Sequence, residues 1–521
     1  MYPQPNAFYP MPQNLPPVAP PKPRRAYSGF DSVFAWISFL FAFLFCQALP
    51  AGEHPTGAFL LVLLMFAAAF VILRVKKLPL SRACLFTAIS SLLVSAAPIL
   101  NDSAFLIDFS LSYSLCGYCY FLYAAFGNRI ETGFSDYVFV DFFKLLFVLP
   151  FCSFAEIFRA LSSKSAKRTS AVLLKALIGV GIAVVPAAFV FVFLSYDAGF
   201  QSLMARIFSF DYESVQRAFV SLLFTVPVAM YGFGLYSSCE WGVLREKMSP
   251  ENCRRGLEKA KILPPLTALV AVLPTLFLYA VYFVSQWDYY VSGFTGVLPD
   301  GFSYAEYARR GFFELCAVSV INLLLIVGIA FFLRRRSFGS SVFLKVVSVV
   351  FCACTLILIS TAVAKLWMYI SFYGLTQKRI FALWLMVLIA LVFLVIALGQ
   401  FVSKLKVAAL SLLLFAVLFS ALALCNVNAL CARYNADRYL SGEVEVLDLT
   451  AMKELGDSAV PSLVRVSNEM DAEKAPEVKL AIDSYLTLCA KRLQSEHTTL
   501  FSFSVPSSQA RAALSDFSLP D

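Results

Sequence analysis

Residues 300–315, DGFSYAEYARRGFFEL, place charged groups at the mouth of an apolar run long enough to cross a bilayer. Ser303 followed three residues later by Glu306 has the spacing of a capping box, in which each side chain takes the other's backbone N–H. Arg310 lies four residues after Glu306 and four before Glu314, so the three share one helix face. Glu314 falls about 12 Å further along the axis than Glu306, and a carboxylate at that depth is expected to face protein or water rather than lipid. Arg310 with Glu314 reads first as a buried pair that docks the helix, and second as the floor of an outward-facing site. Arg309 has no structural duty in this scheme. A second group, in residues 360–379, sets Lys365, Lys378 and Arg379 beside Trp367, Tyr369, Phe372 and Tyr373. The aromatics suit a membrane edge. The cations are expected to neutralise Glu306 and Glu314, with lipid phosphates or an anionic ligand as the alternatives.

The chemistry on offer is therefore charge pairing and anion recognition. Only two histidines occur, His54 and His497, in no metal-ligand spacing, and no phosphate loop, dinucleotide fingerprint or zincin motif appears. Neither cofactor nor metal is expected, and no residue is assigned a catalytic role. Cys116 and Cys119 have the spacing of a redox motif but lie inside an apolar span, where cysteine acts as a small hydrophobe. Cys431 and Cys489 fall in the polar tail and are the one pair read as able to form a disulfide.

These residues are carried by a chain of 521 residues, 60% hydrophobic and 14% charged, far from the balance of a soluble domain. Apolar blocks of about twenty residues define an all-α polytopic membrane protein. Spans are expected at 32–49, 57–73, 83–100, 105–126, 171–194, 219–238, 266–285, 312–333, 346–364, 380–398 and 407–424, eleven in all. The stretch 137–161 is apolar but interrupted by Asp141, Lys144, Pro150 and Glu156, and reads as an amphipathic or re-entrant segment on the inner face. Most basic residues border apolar blocks on one side, so the net charge of +9 speaks for orientation rather than for nucleic acid. The N-terminus is expected in the cytoplasm and the C-terminus outside. Residues 1–30 form a proline-rich disordered tail, 31–425 the membrane domain, and 426–521 a small extracytoplasmic helical domain. Within it, a turn at Gly456-Asp457 precedes a helix beginning near Pro461. Pro186, Pro227 and Pro274 stand at the centres of three spans, where a freed carbonyl can line a cavity.

Several spaced motifs, LPDGFSYAEYARRGFFEL, FLSYDAGF, FVSQWDYY, MYISFYGLTQKR, NVNALCARYNADRY and LGDSAVPSL, resemble those of a bacterial family of multi-pass membrane proteins. That family is known only as domain of unknown function number four-one-seven-three, related to the four-one-five-three family of inner-membrane proteins. The likeness runs over roughly residues 170–515, with Asn428 standing where the family has an acid. It implies a plasma-membrane protein without assigned activity, and it adds Asp197, Gln286, Arg309, Tyr373, Thr376, Arg379 and Arg433 as motif residues. Together with Arg310, Glu314 and Lys365 these make the candidate cluster on the outer face. The leading expectation is a non-enzymatic scaffold, sensor or regulator whose partners are the bilayer and an anionic lipid or envelope protein. A transporter or lipid flippase working through the proline-bearing spans is the alternative, and a transferase acting on an anionic lipid is a third.

Overall fold

A computed structural model of the protein describes residues 25–48, 54–162, scattered positions between 179 and 202, 212–285, 304–333, 338–470, 475–496, 499–515 and 517; the side chains of 212–219, 304–311 and 338–341 are outside that set. Among the described residues ten helices are long and apolar enough to cross a membrane. They are α1 (Gly29–Ala48), α2 (Pro55–Val75), α3 (Arg82–Val94) continued by the short α4 (Ala97–Leu100), α5 (Ala104–Ala125), α9 (Tyr212–Glu240), α11 (Pro265–Ser285), α12 (Tyr304–Phe332), α13 (Phe338–Tyr373), α14 (Gln377–Phe401) and α15 (Val407–Leu424). The span expected at 171–194 falls almost wholly outside the described residues. Large apolar side chains such as Phe277, Leu278 and Leu324 stand more than 60% exposed, the pattern of helix faces that meet lipid rather than water.

Local signals set the helix starts. Ser81 accepts from the Cys84 N–H and Asn426 from the Ala429 N–H, each side chain satisfying a donor that the first helical turn leaves open. Proline stands in the first turn of α2 and of α10 (Pro250–Ala260), where its missing N–H costs nothing. Pro227 and Pro274 both lie inside unbroken helices.

Between α5 and α9 the chain forms α6 (Val138–Phe143), a π turn (Lys144–Val148), α7 (Leu149–Cys152) and α8 (Glu156–Leu161). The stretch is broken into four short pieces, and its two flanks contact residues at the same end of neighbouring helices. Asp136 accepts from the Ala408 N–H at one flank, and the Ala160 carbonyl accepts from Ser32 at the other. Its middle packs on α9, where a Cβ on Gly234 would come within 2.5 Å of the Pro150 carbonyl. Irregular backbone at this depth persists only where protein groups satisfy it. Tyr231 donates to the Leu146 carbonyl at 2.9 Å and Ser238 to the Leu149 carbonyl at 2.7 Å.

The C-terminal region is helical: α16 (Val427–Leu440), α17 (Leu449–Lys453), a 3₁₀ turn (Gly456–Ala459), α18 (Val460–Glu469), α19 (Pro476–Ser495) and α20 (Val505–Ser515). Its core continues into the bundle, since Leu463, Val466, Ile482 and Leu486 share one buried cluster with Val94, Leu106 and Phe419. Cys431 and Cys489, the pair read as able to form a disulfide, are both buried and are not bonded to each other.

Candidate functional site

The site is built where the C-terminal helices meet the ends of the spans. Helix α13 ends at Tyr373, and Gly374 turns the chain with φ +80°, a conformation glycine adopts at low cost. The turn is also tight, because a Cβ there would lie 2.5 Å from the Asn435 side-chain oxygen. That oxygen accepts from the Leu375 N–H at 2.7 Å, and the amide nitrogen donates to the Leu375 carbonyl at 2.8 Å. Arg379 donates to the Gly374 carbonyl and lies over the Tyr369 ring at 3.9 Å. Arg438, from α16, donates to the Ser371 carbonyl at 2.8 Å. Two cations thus satisfy carbonyls at the C-terminus of α13, where the helix dipole favours positive charge. Thr376 starts α14, its carbonyl accepting from the Arg379 and Ile380 N–H groups at 3.1 Å.

A second contact lies at the start of α5. The Asp102 carboxylate accepts from the Ser458 N–H and hydroxyl, both at 2.9 Å, and from Asn428 at 2.8 Å. Burial pushes the Asp102 carboxyl above the usual range, and these hydrogen bonds pull the other way without cancelling it. Gly456, at φ +66°, leaves room for this carboxylate, since a Cβ would stand 2.9 Å from its oxygen. Asn428 is the residue that stands where the motif has an acid; here it donates to Asp102, where a second carboxylate would repel. Asn426 adds a bond to Ser458 at 3.0 Å.

The described candidate residues do not gather into one cluster. Tyr373, Thr376 and Arg379 gather at the α13–α14 turn, and Arg433 sits on α16, exposed and 3.8 Å from Asp437. Glu314 and Lys365 lie apart from that turn: Lys365 is only 4% exposed, and Glu314 is near enough for its charge to act on it. This corrects the reading of Lys365 as a residue flanking a span, because α13 continues past it for two turns. Asp197 accepts from the Phe200 N–H at 2.8 Å, which closes its own turn. Gln286 and the side chains of Ser303, Glu306, Arg309 and Arg310 lie outside the described residues, and with them the capping box and the Arg310–Glu314 pair.

Three groups escaped the reading of the sequence. Asp102 lies in the short turn LNDSAF, whose clustered polar residues were the available signal. Asn322, at the middle of α12 and fully buried, accepts from Tyr279 at 2.6 Å and donates to Thr355 at 2.8 Å, joining three spans. A lone asparagine inside an apolar run announces such a contact. At the opposite end of the bundle Lys76 bonds Asp31 at 2.8 Å and also reaches Glu240, while Tyr236 donates to Asp31 at 2.7 Å. Lys76 lies beyond α2, and its ammonium is held above the ordinary lysine range: burial opposes the charge, and the two carboxylates outweigh burial. Beside them, buried Asp141 accepts from Tyr123 and from the Ile130 N–H, and Lys144 reaches the Asn128 carbonyl at 3.4 Å. Among the described residues no group of histidine, cysteine and acidic side chains has the arrangement of a metal site.

No curated protein and no solved structure matches the chain. A family model described as a domain of unknown function (DUF4153) matches residues 88–466. The match begins well before the motif-bearing region, within α3, and runs through the spans to α18. It covers more than half of the sequence, and the chain belongs to the DUF4153 family.

Proposed function

We propose that this protein is a non-enzymatic scaffold, sensor or regulator of a bacterial envelope, with its C-terminal helical domain outside the plasma membrane. One observation carries the reading: three motif segments distant in sequence converge on the seam between that domain and the spans. Asn435 from NVNALCARYNADRY holds Leu375 of YGLT, and Ser458 of LGDSAVPSL holds Asp102. Asn435, Arg438, Asn428 and Ser458 serve docking, so a ligand that shifts the domain would also shift the end of α13. The likeness to the four-one-seven-three motifs fits the same reading in part, because Asn435 and Leu375 are among its shared residues, whereas Ser458 stands where those motifs have an acid and Asp102 precedes the likeness.

The test is a deletion strain complemented with wild type or with Asn435→Ala, profiled for envelope-stress reporters and lipid composition. A stress phenotype restored by wild type and not by an Asn435→Ala protein present at normal level supports the proposal. A change in uptake or lipid translocation without any stress response overturns it in favour of transport.

A further inference from the structure

The sequence RVKK, residues 74–77, divides its cations between two tasks. Lys76 turns inward to Asp31 and Glu240. Arg74 and Lys77 are exposed, and among the described residues neither side chain makes a hydrogen bond or ion pair. They line a cup of about 520 Å³ whose remaining wall is Phe70, Leu73, Leu78 and Leu80. Leu80 is 53% exposed and Phe70 37%, so the cup presents apolar surface beside its two cations.

The backbone sharpens the case. Helix α2 ends with the Leu78 N–H bonding back to the Leu73 carbonyl at 2.9 Å, and Lys77 sits at the left-handed position of that turn with φ +51°. Glycine is the usual residue there, because a side chain makes the conformation costly. A lysine nonetheless stands there, and it lines the same cup as Arg74.

We infer that the Arg74–Lys77 cup binds the headgroup of an anionic phospholipid, with the phosphate on the two cations and an acyl chain along Phe70, Leu73 and Leu80. The cup lies at the edge of an apolar span, where basic side chains meet lipid phosphates, and its chemistry matches both halves of such a lipid. This site is at the opposite end of the bundle from the docking seam and does not depend on the function proposed above.

Lys77→Gly separates ligand binding from folding, since it removes the cation and relieves the backbone. The full chain in neutral detergent is titrated with phosphatidylglycerol or phosphatidylcholine, reading Tm and lipid adducts by native mass spectrometry. Phosphatidylglycerol is expected to bind and raise Tm, and phosphatidylcholine to do neither. Lys77→Gly keeps the lipid-free Tm at or above wild type and weakens phosphatidylglycerol binding about fivefold, as does Arg74→Gln. Lys259→Gln, a cation of α10 outside the cup, leaves affinity unchanged. Equal binding of the two lipids, unchanged affinity in both cup variants, or an equal loss in Lys259→Gln overturns the inference. So does inorganic phosphate producing the same Tm shift, which would mark a free-anion site.

Discussion

The side-chain amide of Asn435 pairs with both backbone groups of Leu375, at 2.7 and 2.8 Å, across a sequence separation of 60 residues. It acts as a surrogate strand residue for the turn at Leu375. Replacing it by alanine leaves a part-buried N–H and carbonyl unmatched, a cost of about 1–3 kcal/mol for each group that water cannot reach. Asn435→Ala is therefore expected to raise hydrogen exchange in residues 374–380 and 427–440 while the spans stay protected. Asn435→Asp keeps the acceptor and loses the donor, so its effect falls between alanine and wild type. Unchanged exchange at Leu375 in both variants would show that the pair contributes nothing to docking.

Asp102 gives the seam a pH dependence whose sign follows from its raised carboxyl. Between the ordinary carboxylate value and the raised folded value, the docked state binds a proton that the undocked state has lost. Docking is therefore strongest at low pH and weakens as pH rises through the folded value, beyond which the burial cost of the charge is complete. Asp457 is the neighbouring acid, but it is paired with Arg492 and bonded by Ser507. The protection of residues 427–466, with exchange corrected for its intrinsic base-catalysed rise, is expected to fall across that window in wild type and to stay flat in Asp102→Asn. The same slope in both proteins would assign the titration to another group.

Spans were legible because length and apolarity are local properties, and the apolar stretches of nine of the ten helices fall within a few residues of their expected positions, α13 being the exception. There the reading stopped at 364 because Lys365 resembles a residue at a span end; in the fold it is buried and meets the charge of Glu314 from α12. The seam was only half legible. Tyr373, Thr376, Arg379 and Arg433 could be singled out, but their work could not, since Arg379 caps a carbonyl of its own turn and Asn435 reaches one in a distant segment. Side-chain bonds to a remote backbone leave no periodicity to read. Lys76 was visible only as one of several basic residues, because its carboxylate partners come from α1 and α9.

Segment 137–161 shows how a polar group on one helix licenses a break in another. Pro150 has no N–H to give the Leu146 carbonyl four residues back, and Tyr231 of α9 supplies a hydroxyl to that carbonyl instead. Tyr231→Phe removes the donor and leaves the carbonyl buried, which is expected to lower stability by about 1–2 kcal/mol. Pro150→Ala returns a backbone donor, so the same Tyr231→Phe change should cost less in that background. The difference between the two costs, read from denaturation in detergent as a double-mutant cycle, isolates the coupling between the two residues. Equal costs in both backgrounds would mean that Tyr231 stabilises the segment through its ring packing on Phe151 rather than through the carbonyl that the proline leaves open.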